Sequence, residues 1–280
     1  MNIKNAITEA STILKFNNIK SYSLDSEILM SKALKKDRKF IILNSEKNLN
    51  EKIKKHFNFL IKERSKGAPI AYLIGKKDFW KNEFKIKEGI LIPRPDTELL
   101  VEQVLKITKN KSKLNILDIG TGSGCIILSI LNEKKNFYGT GIDISKESIE
   151  ISKINSKKLN LNNRVKFLKT DIDNFACGKY DLIISNPPYI NKLSLNCLNK
   201  EVIDFEPRSA LYGGLDGTSE ISKIIEKASK LIKKNGKLVL EIAFDQKKSV
   251  KKILTNKGFY INKVLKDLAK NDRCIISTKI

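Results

Sequence analysis

The fold is decided by one stretch, Leu114-Asn115-Ile116-Leu117-Asp118-Ile119-Gly120-Thr121-Gly122-Ser123-Gly124-Cys125-Ile126-Ile127-Leu128. Its two apolar runs, separated by a glycine-rich segment, predict a buried strand, a tight loop and then a helix. The three glycines allow open backbone dihedral angles, so the loop can approach a ligand closely. The first amides of the following helix favour an anionic group such as a carboxylate. The stretch therefore predicts a ligand site at the carboxyl end of a strand, as in open α/β sheets.

The spacing of the glycines indicates which ligand this loop binds. It is Gly-x-Gly-x-Gly preceded by Asp118, and not the Gly-x-Gly-x-x-Gly of dinucleotide-binding proteins. Asp118 can hold an amino group, so a ligand with both an ammonium and a carboxylate fits better than a pyrophosphate. A tight strand-to-helix turn without a ligand is the competing interpretation. The residues that we expect to bind the ligand here are Asp118, Gly120, Thr121, Gly122, Ser123 and Gly124.

A second predicted strand, Asn136 to Asp143, ends in an acid 23 positions after Gly120. At the tip of a neighbouring strand, the carboxylate of Asp143 can accept hydrogen bonds from both hydroxyls of a ribose. The alternative is that Asp143 caps the next helix, but Ser145 can provide that cap itself.

A third predicted strand, Arg164 to Lys169, leads to Asp171 and Ile172. Asp171 can accept a hydrogen bond from an exocyclic amine, and Ile172 can cover one face of an adenine. An amino acid, a ribose and an adenine, bound in order across adjacent strand ends, describe S-adenosylmethionine. We therefore expect this molecule to be the cofactor.

The stretch Asn186-Pro187-Pro188-Tyr189 follows the apolar run Tyr180 to Ser185, which predicts another buried strand. The prolines prevent further strand pairing, so the chain leaves the sheet stiffly at its ligand-binding edge. The side-chain oxygen of Asn186 and the backbone carbonyl of Pro187 can accept both hydrogens of a planar NH2 group. The ring of Tyr189 can hold the flat substituent of that group.

These properties favour methyl transfer to a conjugated nitrogen. We predict that Asn186, Pro187 and Tyr189 are catalytic, that Pro188 joins them in binding the substrate, and that Asn186 also contacts the cofactor. The competing interpretation is a Pro-Pro turn in which the asparagine is a turn former.

The chain resembles the protein-(glutamine-N5) methyltransferases of the HemK/PrmC type, which modify peptide chain release factors. The resemblance is carried by five stretches, namely Ile92-Pro93-Arg94-Pro95-Asp96-Thr97-Glu98-Leu99-Leu100-Val101, the glycine-rich loop, Ser185 through Ile190, Phe205-Glu206-Pro207-Arg208-Ser209-Ala210-Leu211-Tyr212-Gly213-Gly214-Leu215-Asp216-Gly217, and Lys266-Asp267-Leu268 with Asn271-Asp272-Arg273. It implies methylation of the glutamine in the Gly-Gly-Gln motif of release factors, which tunes translation termination.

Two other methyl acceptors are consistent with parts of this sequence. A ribosomal protein glutamine is the nearer alternative, and only the Pro-Arg-Pro-Asp-Thr-Glu stretch argues against it. An adenine-N6 nucleic-acid methyltransferase uses a similar Pro-Pro motif for a flipped base, but this chain lacks room for a sizeable target-reading domain. A non-enzymatic RNA-binding module would suit the charge and leave Asp143 and Asn186 unexplained.

The chain departs from the family pattern at a few loop positions. Ala243 and Lys270 stand where the family usually has glycine, and an aromatic residue is usual near Ile221. Ile172 occupies a position where some members carry an aromatic residue. These departures concern local loop shape and adenine packing, and they leave the predicted chemistry unaffected.

Composition indicates a cytoplasmic enzyme without a metal centre. No apolar run is long enough to span a membrane, and the sequence contains a single histidine, His56. The four cysteines show no Cys-x-x-Cys spacing, so zinc is not expected. The chain has 54 basic and 31 acidic residues, a net charge of +23. Because the lysines are spread throughout the chain, we attribute this charge to compositional drift and expect no stable nucleic-acid partner.

The hydrophobic patterning divides the chain into three parts. Residues 1–75 have apolar spacings of three and four and predict a small helical domain, which we expect to recognise the substrate. Residues 76–94 predict a β-hairpin linker, with Asn82 and Gly89 as turn positions. Residues 95–280 alternate strands and helices and predict a doubly wound, Rossmann-like α/β sheet. The resemblance makes this the seven-stranded S-adenosylmethionine-dependent methyltransferase fold, closed by an antiparallel hairpin.

Overall fold

The computed structural model describes residues 1–280, which form nine strands and twelve α-helices. The strands are β1 (Lys76–Phe79), β2 (Asn82–Lys85), β3 (Asn115–Ile119), β4 (Tyr138–Asp143), β5 (Val165–Lys169), β6 (Tyr180–Ser185), β7 (Ile232–Glu241), β8 (Phe259–Lys266) and β9 (Asp272–Lys279). The helices are α1 (Ile3–Phe16), α2 (Tyr22–Leu34), α3 (Arg38–Leu43), α4 (Glu51–Ser65), α5 (Ile70–Ile74), α6 (Glu98–Ile107), α7 (Cys125–Glu133), α8 (Lys146–Lys158), α9 (Lys192–Leu195), α10 (Lys200–Phe205), α11 (Ser219–Leu231) and α12 (Lys247–Asn256). None of these helices combines the length and the apolar character that crossing a bilayer requires.

The chain folds into two compact units. The first contains Met1–Lys76 together with Asn199–Phe205, and the second contains Lys77–Leu198 and Glu206–Ile280. The sequence did not indicate that residues 199–205 would join the first unit. The division into functional domains at 1–75, 76–94 and 95–280 remains a prediction.

The first unit is helical because apolar residues recur along one face of each of its longer helices. Asn2, Asp37 and Asn50 cap three of these helices, each accepting a hydrogen bond from a backbone amide three residues later. The apolar faces meet in a single core that contains Ile3, Ala6, Ala10, Leu14, Ile19, Leu29, Met30, Ala33, Ile41, Phe57, Leu60 and Ile61. The periodicity of the sequence predicted this helical arrangement.

A buried ion pair ties together the helices of this first unit. The Arg64 Nε atom of α4 lies 2.7 Å from Asp25 Oδ2 of α2, and the two side chains are each 4% exposed. A second Arg64 nitrogen lies 2.7 Å from Glu201 Oε1, on the later segment 199–205. Arg64 also donates a hydrogen bond to the carbonyl of Ala68. One guanidinium therefore holds three elements of the unit with charge-assisted hydrogen bonds.

In the second unit, seven strands form one sheet in the order β5-β4-β3-β6-β7-β9-β8. The first five of these strands pair in parallel, while β9 runs antiparallel to both β7 and β8. The strand order reverses between β3 and β6, which is the switch point at which open α/β sheets bind ligands. The predicted doubly wound sheet with an antiparallel end hairpin is confirmed.

The hairpin before the sheet differs in detail from the prediction. β1 and β2 form a separate two-stranded sheet, and the turn between them lies at Trp80 and Lys81. Asn82 was predicted as a turn residue, and this is wrong because Asn82 begins β2. Trp80 takes the left-handed turn conformation instead, with φ of 54°. Gly89 does occupy a turn, with φ of 81°, as predicted.

The turn between β8 and β9 contains Lys270 where the family usually has glycine. Lys270 adopts φ of 66°, a left-handed conformation that costs a residue with a Cβ atom about 1–2 kcal/mol. Hydrogen bonds from the backbone amides of Lys270 and Asn271 to Asp267 hold it in place.

We predict that Lys270→Gly stabilises the protein by about 0.5–1 kcal/mol, because the turn strain disappears and glycine's greater backbone entropy offsets only part of the gain. Equilibrium urea unfolding measures the change. The matched control is Lys252→Gly in the exposed interior of α12, which should cost about 1 kcal/mol. A loss of stability in Lys270→Gly would contradict the account of this turn.

Candidate active site

The registers of the parallel strands bring the predicted site residues to one edge. Ile119 at the end of β3 pairs with Ile142 of β4 on one side and with Ser185 of β6 on the other. The residues that follow these positions, Gly120 and Asn186, therefore leave the sheet beside each other. Asp143, the last residue of β4, lies at the same edge. Pairing of Asp143 with Lys169 brings the end of β5 to the same edge.

The glycine-rich loop has open space beside its first two glycines. Gly120 and Gly122 have φ of 71° and 55°, and a Cβ atom added at either would meet nothing within 4 Å. An added Cβ on Gly124, with φ of 80°, would instead lie 3.0 Å from Leu128 and 3.2 Å from Ser152. Gly124 thus serves the packing and the start of α7, while the first two glycines leave a space that a ligand can enter.

Asp118 lies fully buried in β3 beneath this loop. Its Oδ2 accepts a hydrogen bond of 2.7 Å from the hydroxyl of Thr121, and its Oδ1 has no hydrogen-bond partner. Burial raises the pKa of Asp118 to about 7. The hydrogen bond from Thr121 lowers this pKa, and the charge of Asp143 raises it further. An unpartnered buried oxygen is costly, so it indicates that a donor is missing from the structure.

Asp143 supports the loop with both of its carboxylate oxygens. One accepts a hydrogen bond of 2.9 Å from the Gly122 amide and the other accepts one of 2.9 Å from the Ser145 amide. Ser145 caps α8 by accepting from Ser148, so the predicted assignment of the cap is confirmed. Burial raises the pKa of Asp143, and the backbone hydrogen bonds oppose this effect. Each oxygen keeps a further lone pair for a hydroxyl donor.

A pocket runs along this edge of the sheet and collects most of the predicted residues. The predicted residues that line it are Gly120, Thr121, Gly122, Ser123, Asp143, Asp171, Ile172, Asn186, Pro187 and Pro188. Asp171 is exposed at the lip, and Ile172 is buried in the sheet core. Asp118, Gly124 and Tyr189 are not among the lining residues.

Tyr189 differs from the prediction that its ring holds a substrate. The ring packs against the core of the second unit, and its hydroxyl donates a hydrogen bond of 3.2 Å to Glu241 Oε1. Burial raises the pKa of the Tyr189 hydroxyl, and the neighbouring Glu241 reinforces the shift. The structure thus gives this residue a packing role, and direct contact with a substrate stays a prediction.

Asn186 is hydrogen-bonded to the stretch Ile92-Pro93-Arg94-Pro95-Asp96-Thr97, which precedes α6. Its Nδ2 donates a hydrogen bond of 3.1 Å to the hydroxyl of Thr97. In the same stretch, Arg94 forms an ion pair with buried Glu206, and the Ile92 amide donates to the second Glu206 oxygen at 3.2 Å. Two sequence stretches more than a hundred residues apart therefore form one wall of the pocket.

Gln246 fixes the backbone just after the Pro-Pro turn. Its Nε2 donates to the carbonyls of Tyr189 and Gly217 at 3.0 and 2.9 Å, while its Oε1 accepts from Ala243. Gly213 packs so tightly here that an added Cβ would lie 2.7 Å from the Pro188 carbonyl. This contact explains why the Gly-Gly-Leu-Asp-Gly stretch accompanies the Asn-Pro-Pro-Tyr stretch.

Sequence reasoning missed three polar residues that support the site: Thr97, Glu241 and Gln246. Glu241 carried a recognisable signal, because it is an acid within the apolar run that forms the buried strand β7. Thr97 looked like an ordinary residue at a helix start. Gln246 carried no signal, since its contacts are made with loops distant in sequence.

Comparison with known proteins is consistent with this site. A family model described as "Methyltransferase domain" matches residues 110–277, and one described as "PrmC N-terminal domain" matches residues 5–75. The release factor glutamine methyltransferase of Clostridium acetobutylicum is 39% identical over 282 residues, covering 100% of this chain and 99% of that protein. The chain belongs to this family. The protein of the same name from Buchnera aphidicola subsp. Acyrthosiphon pisum is 38% identical, with 100% and 99% coverage.

A solved structure supports the fold. The ribosomal protein L11 methylase of Lactobacillus delbrueckii subsp. bulgaricus matches with a TM-score of 0.52 and 18% identity, over 73% of this chain and 90% of that one. This match shows the fold alone. Membership of the family makes the chain a methyltransferase, and S-adenosylmethionine is the methyl donor that we expect. The residues present fit that donor, because the glycine loop is open and a buried Asp118 oxygen lacks a partner.

We predict that Asp143→Ala weakens S-adenosylmethionine binding by at least ~10-fold, because each charge-assisted hydrogen bond contributes roughly 1.5–3 kcal/mol. Isothermal titration calorimetry measures the affinity. The matched control is Asp181→Ala at the amino end of β6, where the carboxylate pairs with Lys233 away from the pocket. Unchanged affinity in Asp143→Ala would refute the assignment of this acid to the ribose.

Proposed function

We propose that this protein transfers a methyl group from S-adenosylmethionine to the side-chain amide nitrogen of the glutamine in the Gly-Gly-Gln motif of peptide chain release factors. The observation that carries the proposal is the position of Asn186 and Pro187 on the pocket wall, beside the glycine loop and Asp143. Full-length similarity to proteins named release factor glutamine methyltransferase supports it. The substrate would place the reaction in the cytoplasm, where translation takes place.

The predicted cofactor residues would each hold one part of the donor. The loop from Gly120 to Gly124, with Asp118 beneath it, would hold the amino acid part. Asp143 would hold the ribose, and Asp171 with Ile172 would hold the adenine. When bound, S-adenosylmethionine supplies an electrophilic methyl group on a sulfonium sulfur.

The protein's own task is to present a poor nucleophile. The lone pair of an amide nitrogen is delocalised into its carbonyl, so orientation must provide most of the catalysis. The side-chain oxygen of Asn186 and the carbonyl of Pro187 would accept the two amide hydrogens and direct the nitrogen lone pair into the pocket. These acceptors also favour the partial positive charge that grows on the nitrogen during transfer. Tyr189 and Pro188 would complete the substrate side of the site, and the surplus proton leaves to water.

The alternative acceptors are separated by assays run in parallel. Radiolabelled methyl transfer is measured with a release factor, with a ribosomal protein and with DNA, followed by mass spectrometry of the modified residue. Methylation of the Gly-Gly-Gln glutamine in the release factor is the expected result. Preferred methylation of the ribosomal protein or of adenine would replace this proposal with the corresponding alternative.

We predict that Asn186→Ala lowers turnover by roughly 10²–10³-fold, the loss observed when one transition-state hydrogen-bonding group is deleted. The affinity for S-adenosylmethionine should change by less than about tenfold, because the glycine loop and Asp143 are intact. Single-turnover methylation and calorimetry measure the two effects. Asn132→Ala, a change of the same kind at an exposed amide that bonds to Asn82, is the matched control. Normal turnover by Asn186→Ala would end the proposed mechanism.

We further propose that the first unit recognises the body of the release factor. The short helix α3 presents two large apolar side chains to solvent, with Ile42 67% and Leu43 73% exposed, and Phe16 at the end of α1 is 83% exposed. Exposed apolar groups of this kind are typical of protein interaction sites. The predicted site residues all lie in the second unit, which leaves the first unit free for this task.

We predict that the double change Ile42→Ser and Leu43→Ser lowers kcat/KM for a whole release factor by about tenfold or more, since apolar anchors carry much of the binding energy at interfaces. Activity on a short Gly-Gly-Gln peptide should be unchanged, because the pocket is intact. The matched control is Tyr260→Ser in the second unit, a 62% exposed residue near the amino end of β8. Equal kcat/KM of double variant and wild type on the whole substrate would reject this role.

A further inference from the structure

Two prolines make the Asn-Pro-Pro-Tyr stretch dependent on contacts at its ends. Neither Pro187 nor Pro188 has a backbone N–H, so neither can donate a hydrogen bond that would hold it. At the first end, Ser185 closes β6 and donates its hydroxyl to the Ile119 carbonyl at 2.7 Å. Because each proline ring also fixes its φ angle, the contacts at the other end, beginning with Tyr189, determine how the carbonyl groups between the two ends are directed.

Gln246 holds that second end from a buried position, where it is only 5% exposed. Its Nε2 atom donates hydrogen bonds to the carbonyls of Tyr189 and Gly217, at 3.0 and 2.9 Å. Its Oε1 atom accepts one of 3.0 Å from the Ala243 amide, and the Gln246 backbone amide donates to the Ala243 carbonyl at 3.1 Å. The side chain and the backbone of Gln246 are thus both held, and both hydrogens of its NH2 group are used.

The neighbours of Gln246 permit only one orientation of its side-chain amide. The carbonyls of Tyr189 and Gly217 only accept hydrogen bonds, whereas the Ala243 amide only donates one. If the side-chain amide turned over, its oxygen would face the two carbonyls and its NH2 group would face the Ala243 N–H. All three hydrogen bonds would be lost in a buried place, where unpaired polar groups are costly. The two donors are therefore directed at the Tyr189 and Gly217 carbonyls.

Gly213 packs tightly against the same backbone. An added Cβ atom on Gly213 would lie 2.7 Å from the Pro188 carbonyl oxygen and 2.8 Å from the Tyr189 Cα atom. The Gly213 amide also donates a hydrogen bond of 2.9 Å to the Ile190 carbonyl. Together, Gln246 and Gly213 leave the carbonyls of Pro188 and Tyr189 little room to rotate.

We propose that Gln246 is a positioning residue for methyl transfer, because by holding the Tyr189 carbonyl it keeps the Pro187 carbonyl directed at the substrate amide. This inference rests on the proposed function, in which the Pro187 carbonyl accepts one hydrogen of the nucleophilic NH2 group. Gln246 does not line the pocket, so its effect reaches the substrate only through the backbone of residues 187–189. Since an amide nitrogen is a poor nucleophile, a small displacement of this acceptor should slow the transfer.

The test compares two substitutions of Gln246 at saturating concentrations of S-adenosylmethionine and release factor. Gln246→Met keeps the length of the side chain and removes its three hydrogen bonds. Gln246→Glu keeps the acceptor for Ala243 and, when ionised, removes the two donors. We expect kcat to fall about tenfold or more in both variants, since misplacing a reacting group by about 1 Å can cost roughly 10²-fold. The affinity for S-adenosylmethionine should change much less, because the glycine loop and Asp143 are untouched.

The matched control is Gln103→Met, which should keep the wild-type kcat. Gln103 is the only other glutamine of the chain, is also 5% exposed, and lies in α6 outside the pocket lining. Wild-type kcat in both Gln246 variants would overturn the inference. A loss of S-adenosylmethionine affinity as large as the loss of kcat would also overturn it, because it would show a general disturbance of the site.

A second route to the same backbone keeps the inference testable if a Gln246 variant does not fold. Gly213→Ala leaves Gln246 in place but forces the Tyr189 backbone to move, so kcat should fall as in Gln246→Met. Its control is Gly258→Ala just before β8, where an added Cβ atom meets only the flexible end of Lys279. Wild-type kcat in Gly213→Ala would contradict the importance of this backbone position.

Hydrogen exchange separates this inference from the proposed function. In the substrate-free protein, the amides of Ile190 and Gly213 should exchange with deuterium faster in Gln246→Met than in the wild type, because their hydrogen bonds adjoin the released Tyr189 carbonyl. The amides of β3 should exchange at the wild-type rate. Unchanged exchange at Ile190 and Gly213 would reject the positioning role, whatever the substrate. If the wild type does not methylate glutamine, the proposed function fails, and the exchange rates still decide whether Gln246 holds the turn.

Discussion

The parallel pairing of β3 with β4 and β6 is the constraint on which the rest of the structure depends. Because Ile119 lies between Ile142 and Ser185, the chain leaves three neighbouring strands at the same level. Gly120, Asp143 and Asn186 then meet although more than 60 residues separate the first from the last. A slip of one residue in either pairing would turn a strand's buried side chains to its other face and displace the site residue that follows.

Three carboxyl groups lie at the strand ends that form the site. Asp118, Asp143 and Glu241 lie at or near the ends of β3, β4 and β7, and burial raises the pKa of each. Burying such groups costs stability, which a fold tolerates where a ligand or a network of donors compensates. Asp143 has that compensation from two backbone amides, and Asp118 keeps one oxygen unpaired.

Hydrogen bonds and close packing with distant parts of the chain hold the loops that follow the strands. Gln246 donates a hydrogen bond to the carbonyl of Tyr189. The glycines of the 213–217 stretch allow close packing against the backbone of Pro188 and Tyr189. Glu206 holds the stretch before α6 by binding the Arg94 side chain and the Ile92 amide. Methylation of an amide nitrogen depends on orientation, so a site held by many contacts suits this chemistry. Four of the stretches that carry the family resemblance, at 92–101, 120–124, 185–190 and 205–217, contribute residues to one pocket.

The sequence by itself determined the parallel sheet, the glycine loop and the positions of Asp143 and Asn186, because these depend on local patterns of apolar residues, glycines and prolines. The helical first unit was predictable for the same reason, whereas the antiparallel end strands were predicted from the resemblance to the family. Only the tertiary structure decided the turn at Trp80, the placement of residues 199–205 in the first unit, and the position of Tyr189 on Glu241. Those features arise from contacts between residues far apart in the chain. A buried acid such as Glu241 can be recognised in the sequence of an apolar strand. Its hydrogen-bond partner, Tyr189, cannot be, because the two residues are brought together only by the tertiary fold.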